Sequence, residues 1–219
     1  MEASIRRGRF LTIEGTDGAG KSTQIECLKS ILDEAGINYL VTREPGGSAL
    51  GERLRDVLLN QDELNISPRA QLLIVFAARA QHLEEVIVPA LEAGTWVVCD
   101  RFTDASYAYQ GGAGGISFDA IEVIEDWVQQ GLRPDLTLLL DVPVETGQAR
   151  ISNRGEPGDR FEQQNLDFKN KIRQAYLDLA DLHSDRIRVI DASLEIETVS
   201  EQIRNVMNIE MRQWHCIPG

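Results

Sequence analysis

The stretch Gly15-Thr16-Asp17-Gly18-Ala19-Gly20-Lys21-Ser22-Thr23 matches G-x-x-x-x-G-K-[ST], the pattern of a phosphate-binding loop. Its residue types suit polyphosphate chemistry. Glycines let the backbone curl so that successive N–H groups converge on an anion, and a helix starting behind them adds its dipole. Lys21 is placed to reach β- and γ-phosphates, and the Ser22 hydroxyl to sit on Mg²⁺. The flanks agree with this reading rather than with a chance glycine-rich turn. Phe10 to Ile13 reads as a short buried strand. Gln24 to Glu34 reads as a helix with Ile25, Leu28 and Ile31 on one face.

A phosphate loop does not name an acceptor, so the other candidate groups matter. Asp100-Arg101-Phe102 follows an apolar run, where open α/β sheets place ligands. Asp100 could hold Mg²⁺ through water and Arg101 a second phosphate; the alternative is an ion pair at a strand end. Leu72, Phe76, Arg79 and Leu83 share a helix face. An arginine in such a stripe needs a carboxylate or a ligand. A ring beside a guanidinium fork suits a nucleobase, although the same stripe also serves as core. Arg154-Gly155-Glu156-Pro157-Gly158-Asp159-Arg160 carries two arginines on a hinged segment that could close over phosphates and exclude water.

The intervening chain must position these groups. Strands are expected at Tyr39–Thr42, Trp96–Asp100, Leu136–Asp141 and Arg186–Asp191. Ser48 starts a short helix through Leu58. Ser67-Pro68 opens a long one ending at Ala93 before Gly94. Helices at 103–110 and 117–130 flank a glycine-rich turn, Gly111 to Gly115. Pro143 opens a further helix, 150–160 is a mobile loop, and helices follow at 162–183 and 196–214. Strands alternating with helices imply an α/β fold, a parallel five-stranded sheet of the P-loop NTPase type with helices on both faces and a small lid at about 150–161. One domain spans 1–219.

Composition narrows the function. The net charge of −13 argues against a general nucleic-acid or anionic-membrane surface. Any phosphate site must therefore be a local cationic cluster inside an acidic shell. No window approaches the ~20 apolar residues of a membrane span, and the N-terminus lacks a secretory apolar region. Cys27, Cys99 and Cys216 show neither metal-ligand nor disulfide spacing, which fits the cytoplasm.

Taken together, the chain resembles the thymidylate kinase family of the bacterial kind across nearly its whole length. The motifs that carry this are Gly15 to Thr23, Thr42-Arg43-Glu44-Pro45-Gly46-Gly47, Phe76-Ala77-Ala78-Arg79, Asp100-Arg101-Phe102, Tyr109-Gln110-Gly111-Gly112 and Arg133-Pro134-Asp135-Leu136-Thr137 before Leu140-Asp141. The resemblance implies ATP-dependent phosphorylation of dTMP to dTDP, with Mg²⁺, in a homodimer. It implies that Asp17 contacts the 3′-hydroxyl side of the acceptor sugar, Phe76 stacks on thymine and Arg79 bonds its edge. Arg101 and Arg55 would hold the acceptor phosphate. Ser106, Tyr109 and Gln110 would line sugar and base and disfavour a 2′-hydroxyl, and Glu44 joins the acceptor set. ATP would lie on Gly15 to Thr23 together with Arg150. This loop carries no arginine between Gly15 and Lys21, so the chain resembles the lid-arginine type, with Lys21, Arg101, Arg154 and Arg160 as the catalytic cations. The lid carries Pro157-Gly158 before Asp159 and is slightly long. The competing readings are another nucleoside monophosphate or deoxynucleoside kinase, and a non-catalytic nucleotide-binding switch. A GTPase would need Asn-Lys-x-Asp, and the nearest string, Asn170-Lys171-Ile172-Arg173, lacks the aspartate.

Overall fold

The structure is a computed structural model that describes residues 7–59, 64–152, 160–161 and 163–216. Strand β1 (Phe10–Gly15) leads through the glycine loop into helix α1 (Lys21–Glu34), followed by β2 (Tyr39–Arg43), α2 (Ala49–Leu59) and α3 (Pro68–His82). A π-helical stretch, Leu83–Ile87, joins α3 to α4 (Val88–Glu92), which precedes β3 (Trp96–Asp100). Next come α5 (Thr103–Ser106), a second π-helical stretch over Tyr107–Ala113, α6 (Phe118–Gln129) and β4 (Leu136–Asp141). The chain continues with α7 (Val144–Ser152), α8 (Leu166–Leu182), β5 (Ile187–Asp191) and α9 (Ile196–Gln213). The strands form one five-stranded sheet in the order β2-β3-β1-β4-β5, and every pair is parallel.

Parallel strands bury both faces, so they read as continuous apolar runs. β1 is buried at all six positions. Against one face pack α1 and α9, through Leu28, Ile31, Leu32, Ile203 and Met207. The other face is covered by two further clusters. One is built on Ile172, Ala175, Tyr176 and Leu179 of α8, the other on Leu83, Ile87 and Leu91 beneath Phe10 and Phe102. Each buried aliphatic side chain contributes about 1.5–3 kcal/mol. The five strand C-termini face the same way, and β1 and β3 sit side by side in the middle. The glycine loop and Arg101 therefore emerge next to each other.

The strands fall where the apolar runs place them, while several helices differ from expectation. The long helix does start at Pro68, with the Ser67 hydroxyl accepting the Ala70 N–H at 3.4 Å. It is not a uniform helix to Ala93, because Pro89 has no N–H to offer and its ring crowds the preceding turn. The wider π turn at Leu83–Ile87 takes up this misfit. The glycines at 111 and 112 lie within the second π stretch instead of forming a turn. A β-carbon on Gly112 would lie 2.5 Å from the Ala175 Cβ, so this glycine lets the segment sit directly on α8. α7 runs through Ser152, which places Arg150 in a helix rather than a loop. α8 starts at Leu166, where the Asn165 side chain caps the Phe168 N–H at 2.9 Å, later than the expected 162.

Gly112→Val should overpack the contact with α8 and lower unfolding stability by about 1–3 kcal/mol, measured by urea denaturation.

Candidate active site

The glycine loop closes on itself. Gly18 and Gly20 adopt φ of 79° and 90°, in the left-handed region that glycine tolerates. A β-carbon on Gly18 would lie 2.2 Å from the Gly147 carbonyl oxygen, so the loop and α7 are in direct backbone contact. Lys21 folds back and donates to the Gly15 and Thr16 carbonyls at 3.2 and 3.3 Å, lying across the mouth of the loop. Ser22 and Thr23 are exposed at the start of α1.

Arg101 meets the loop from β3. It takes φ of 67°, uncommon for a residue with a β-carbon. Its guanidinium donates to the Gly15 carbonyl at 2.8 Å, to the Tyr176 hydroxyl at 3.2 Å and to Asp17 Oδ1 at 2.5 Å. The Tyr109 hydroxyl donates to the other Asp17 oxygen at 3.2 Å, and the Tyr109 ring lies 5.0 Å from the Arg101 guanidinium.

Beside this cluster opens a cavity of about 110 Å³ lined by Asp17, Glu44, Arg55, Arg79, Arg101, Ser106, Tyr109 and Gln110. These are the residues expected on the acceptor, with one exception. Phe76 does not line the cavity. It is 2% exposed and packs with Leu72 and Ile121. The Arg79 guanidinium lies 4.5 Å from its ring and 4.8 Å from that of Phe102, between two aromatic platforms. Here the Phe76 ring lies behind the Arg79 guanidinium. Val75, one full turn before Arg79, faces the cavity instead, with Leu58, Leu59, Phe102 and Phe161. Strict i, i+4 spacing from Arg79 would have found Val75 in the sequence.

Arg79 is oriented completely. Its Nε donates to Glu44 at 2.7 Å and one terminal nitrogen to the Ser106 hydroxyl at 3.0 Å. Glu44 also pairs with His82 Nδ1 at 3.0 Å, and Thr42 holds the opposite ring nitrogen at 2.7 Å. Removing one member of such a buried pair costs about 3–5 kcal/mol, which keeps the fork rigid. The remaining terminal nitrogen, Arg79 Nη1, is buried with no hydrogen-bond partner. Arg55 is steered by the Pro45 carbonyl at 2.9 Å.

The outlying candidates separate. Arg150 donates to the Ala192 carbonyl at 2.9 Å, bridging α7 to the end of β5. Arg160, expected on phosphates, instead donates to the Leu64 and Ile66 carbonyls at 3.4 Å each. The Leu64 carbonyl also accepts the Ile66 N–H, and the Ile66 carbonyl the Gln71 side-chain amide. Arg154 lies outside the described residues. Asp100 Oδ1 is buried with no partner, and the Asp100 charge partly opposes the burial and the Arg101 charge that lower the Lys21 pKa.

A family model described as thymidylate kinase matches residues 13–203. The thymidylate kinase of Alkalilimnicola ehrlichii is 50% identical over 210 residues, 96% of this chain and 97% of that one. That of Methylococcus capsulatus is 52% identical over 196 residues, 90% of this chain and 93% of that one. The chain belongs to the thymidylate kinase family. The crystal structure of thymidylate kinase from Ehrlichia chaffeensis, 30% identical, superposes with a TM-score of 0.75 over 92% of this chain and 99% of that one.

In this chain, burial and neighbouring charge together shift the groups around Arg101. Burial pushes Lys21 down, aided by the Arg101 charge. Burial also acts to raise Asp17, but Arg101 and Lys21 outweigh it and hold the carboxyl below its usual range. Glu14, the acid at the end of β1, is fully buried. Burial first, and the Asp104 charge second, raise it from the ordinary 4.5 to about 8. The lone acid in the apolar run Phe10-Leu11-Thr12-Ile13-Glu14 is the sequence signal for this group.

Because Glu14 binds a proton on folding, its contribution to stability is full below about pH 4.5 and lost as pH rises toward 8. The melting temperature of the parent should therefore fall more between pH 5 and 8 than that of Glu14→Gln, read by scanning calorimetry.

Proposed function

We infer that the chain transfers the γ-phosphoryl group of ATP to dTMP, giving dTDP. One observation carries the acceptor assignment. Arg79 lines the cavity and is locked by Glu44 and Ser106, and its remaining terminal nitrogen is buried with no hydrogen-bond partner. An acceptor atom on the edge of a pyrimidine satisfies that donor, and an unsatisfied buried donor costs about 1–3 kcal/mol. From Arg79 the cavity extends to Arg101 and Arg55, which suit the acceptor phosphate, and then to Asp17 of the loop. A nucleoside monophosphate laid along it points its phosphate at the site of the γ-phosphate.

The reaction needs no covalent intermediate. The acceptor phosphate oxygen attacks in line, and it is already anionic at neutral pH. Lys21, Arg101 and a lid arginine offset the accumulating negative charge. Of the lid pair we assign that role to Arg154, since the Leu64 and Ile66 carbonyls hold Arg160. Arg150, on the α7 face that abuts the loop, suits the nucleotide end of ATP. The exposed Ser22 hydroxyl and the orphaned Asp100 oxygen fit Mg²⁺, Asp100 through water. When bound with ATP, the ion neutralises charge on the β- and γ-oxygens. Tyr109 and Gln110 wall the sugar and base. A thymine methyl against Val75 or Leu58 favours dTMP over dUMP by about 1 kcal/mol.

We assign the chain to the cytoplasm, which its three free cysteines suit. Among the described residues no helix is long and apolar enough to cross a membrane. We also infer a homodimer. Leu73 of α3 and Val123 and Trp127 of α6 are exposed by 59%, 71% and 81%. Trp127 lines a surface groove with Ala80, Leu83 and Val88.

Coupled ADP detection with dTMP, dUMP, dCMP, GMP and thymidine should rank dTMP first; a higher rate with GMP or thymidine would overturn the assignment. Lys21→Ala should lower turnover at least about 100-fold while moving the melting temperature by only a few degrees. Trp127→Glu should convert a dimer into a monomer by sedimentation equilibrium, and a parental chain that already runs as a monomer would exclude the dimer.

A further inference from the structure

Glu14 has no part in the mechanism above, yet both of its oxygens lead to Arg101. Oε1 accepts the Phe102 N–H at 2.6 Å. Oε2 accepts the Tyr176 hydroxyl at 2.8 Å. Tyr176, 2% exposed on α8, in turn accepts Nη1 of Arg101 at 3.2 Å. One carboxyl group therefore holds the backbone immediately after Arg101 and, through one hydroxyl, the far end of its side chain.

The backbone contact has a specific cause. Arg101 donates its own N–H to the Ile13 carbonyl, as a strand residue does. The left-handed turn at Arg101 then takes the chain out of the sheet. The Phe102 N–H is left at the strand end, and Glu14 supplies its acceptor. A left-handed conformation costs a non-glycine residue about 1–2 kcal/mol and persists only where its surroundings hold it. An apolar side chain would fill this site without burying a carboxyl. What it could not do is accept from Phe102 and Tyr176 together.

We propose that Glu14 and Tyr176 form a brace that positions Arg101 for phosphoryl transfer, Glu14 fixing its backbone turn and Tyr176 the heading of its guanidinium. Neither residue touches substrate in this account; both are positioning residues that act through Arg101. The Arg101 side chain has three acceptors, the Gly15 carbonyl, Tyr176 and Asp17. The first two belong to the scaffold, whereas Asp17 lines the acceptor cavity. When a phosphate replaces Asp17 as the partner of Arg101, the Glu14–Tyr176 brace and the Gly15 carbonyl keep the guanidinium aimed. Displacing a catalytic group by about 1 Å can cost as much as 100-fold in rate.

The inference rests on the role given to Arg101 under the proposed function, and the experiment separates the two. Steady-state kinetics with ATP and dTMP are measured on the full chain for Glu14→Gln, Tyr176→Phe, the double variant and Arg101→Ala, well below each melting temperature. Each single brace variant should lower kcat by about 10- to 100-fold with the KM for ATP within about twofold of the parent. The double variant should be no slower than the slower single, because one brace is broken once. Unchanged kcat in both singles overturns the proposal, as do losses that multiply in the double or a loss confined to the ATP KM. If Glu14→Gln does not fold, Tyr176→Phe, which deletes one hydroxyl, decides alone. Parental kcat in Arg101→Ala overturns the role of Arg101 itself. An inactive Arg101→Ala beside active brace variants overturns only the brace.

Discussion

The guanidinium of Arg101 is the point on which the structure converges. It sits at the C-terminal end of a central strand, facing the glycine loop of the neighbouring strand. A cation here serves two ends. It stabilises Asp17 and the loop carbonyls without substrate, and it faces the cavity where two phosphorylated ligands would meet. The surrounding molecule is acidic overall, at −13, whereas Arg55, Arg79 and Arg101 line one cavity here. Such a concentration in a partly water-excluded cleft acts more strongly than the same charges spread over a surface.

Two buried carboxyls support this arrangement in different ways. Glu44 orients Arg79 through an ion pair and His82 through a hydrogen bond, and so defines the base end of the cavity. Glu14 works at the phosphate end through hydrogen bonds to Phe102 and Tyr176. A buried carboxyl adds little net stability, but in both places it fixes the direction of an arginine fork. That direction decides whether two ligands are aligned or merely bound. The glycines at 18 and 112 complement this by letting α7 and α8 approach closely, which brings Tyr176 to the back of Arg101.

The two π-helical stretches belong to the same design. One absorbs Pro89 within the long helix that carries Arg79. The other continues α5 and carries Tyr109 and Gln110 into the cavity wall. Wider turns of this kind re-aim side chains without ending the helix. Here they set the spacing between Ser106, which meets Arg79, and Tyr109, which meets Asp17.

The order of elements, the parallel sheet and the phosphate loop were legible in the sequence. They depend on local rules: apolar runs for strands, a Ser-Pro helix start, and a glycine pattern before Lys21. Phe76, Arg79 and Arg101 were legible from a helix face and a strand end, whereas Asp17, Glu44, Arg55, Ser106, Tyr109 and Gln110 entered the acceptor set only through the resemblance to the family. What only the tertiary structure decided was direction. Phe76 and Val75 are adjacent in the chain; Phe76 packs with Leu72 and Ile121, and Val75 lines the cavity. Arg160 and Arg101 were both expected on phosphates, and in the structure Arg160 donates to backbone carbonyls and Arg101 to Asp17. Glu14 and Tyr176 lie 162 residues apart. No periodicity links residues that meet only after the sheet and α8 have packed, because hydrogen-bond geometry between distant segments is set by the assembled core and not by spacing along the chain.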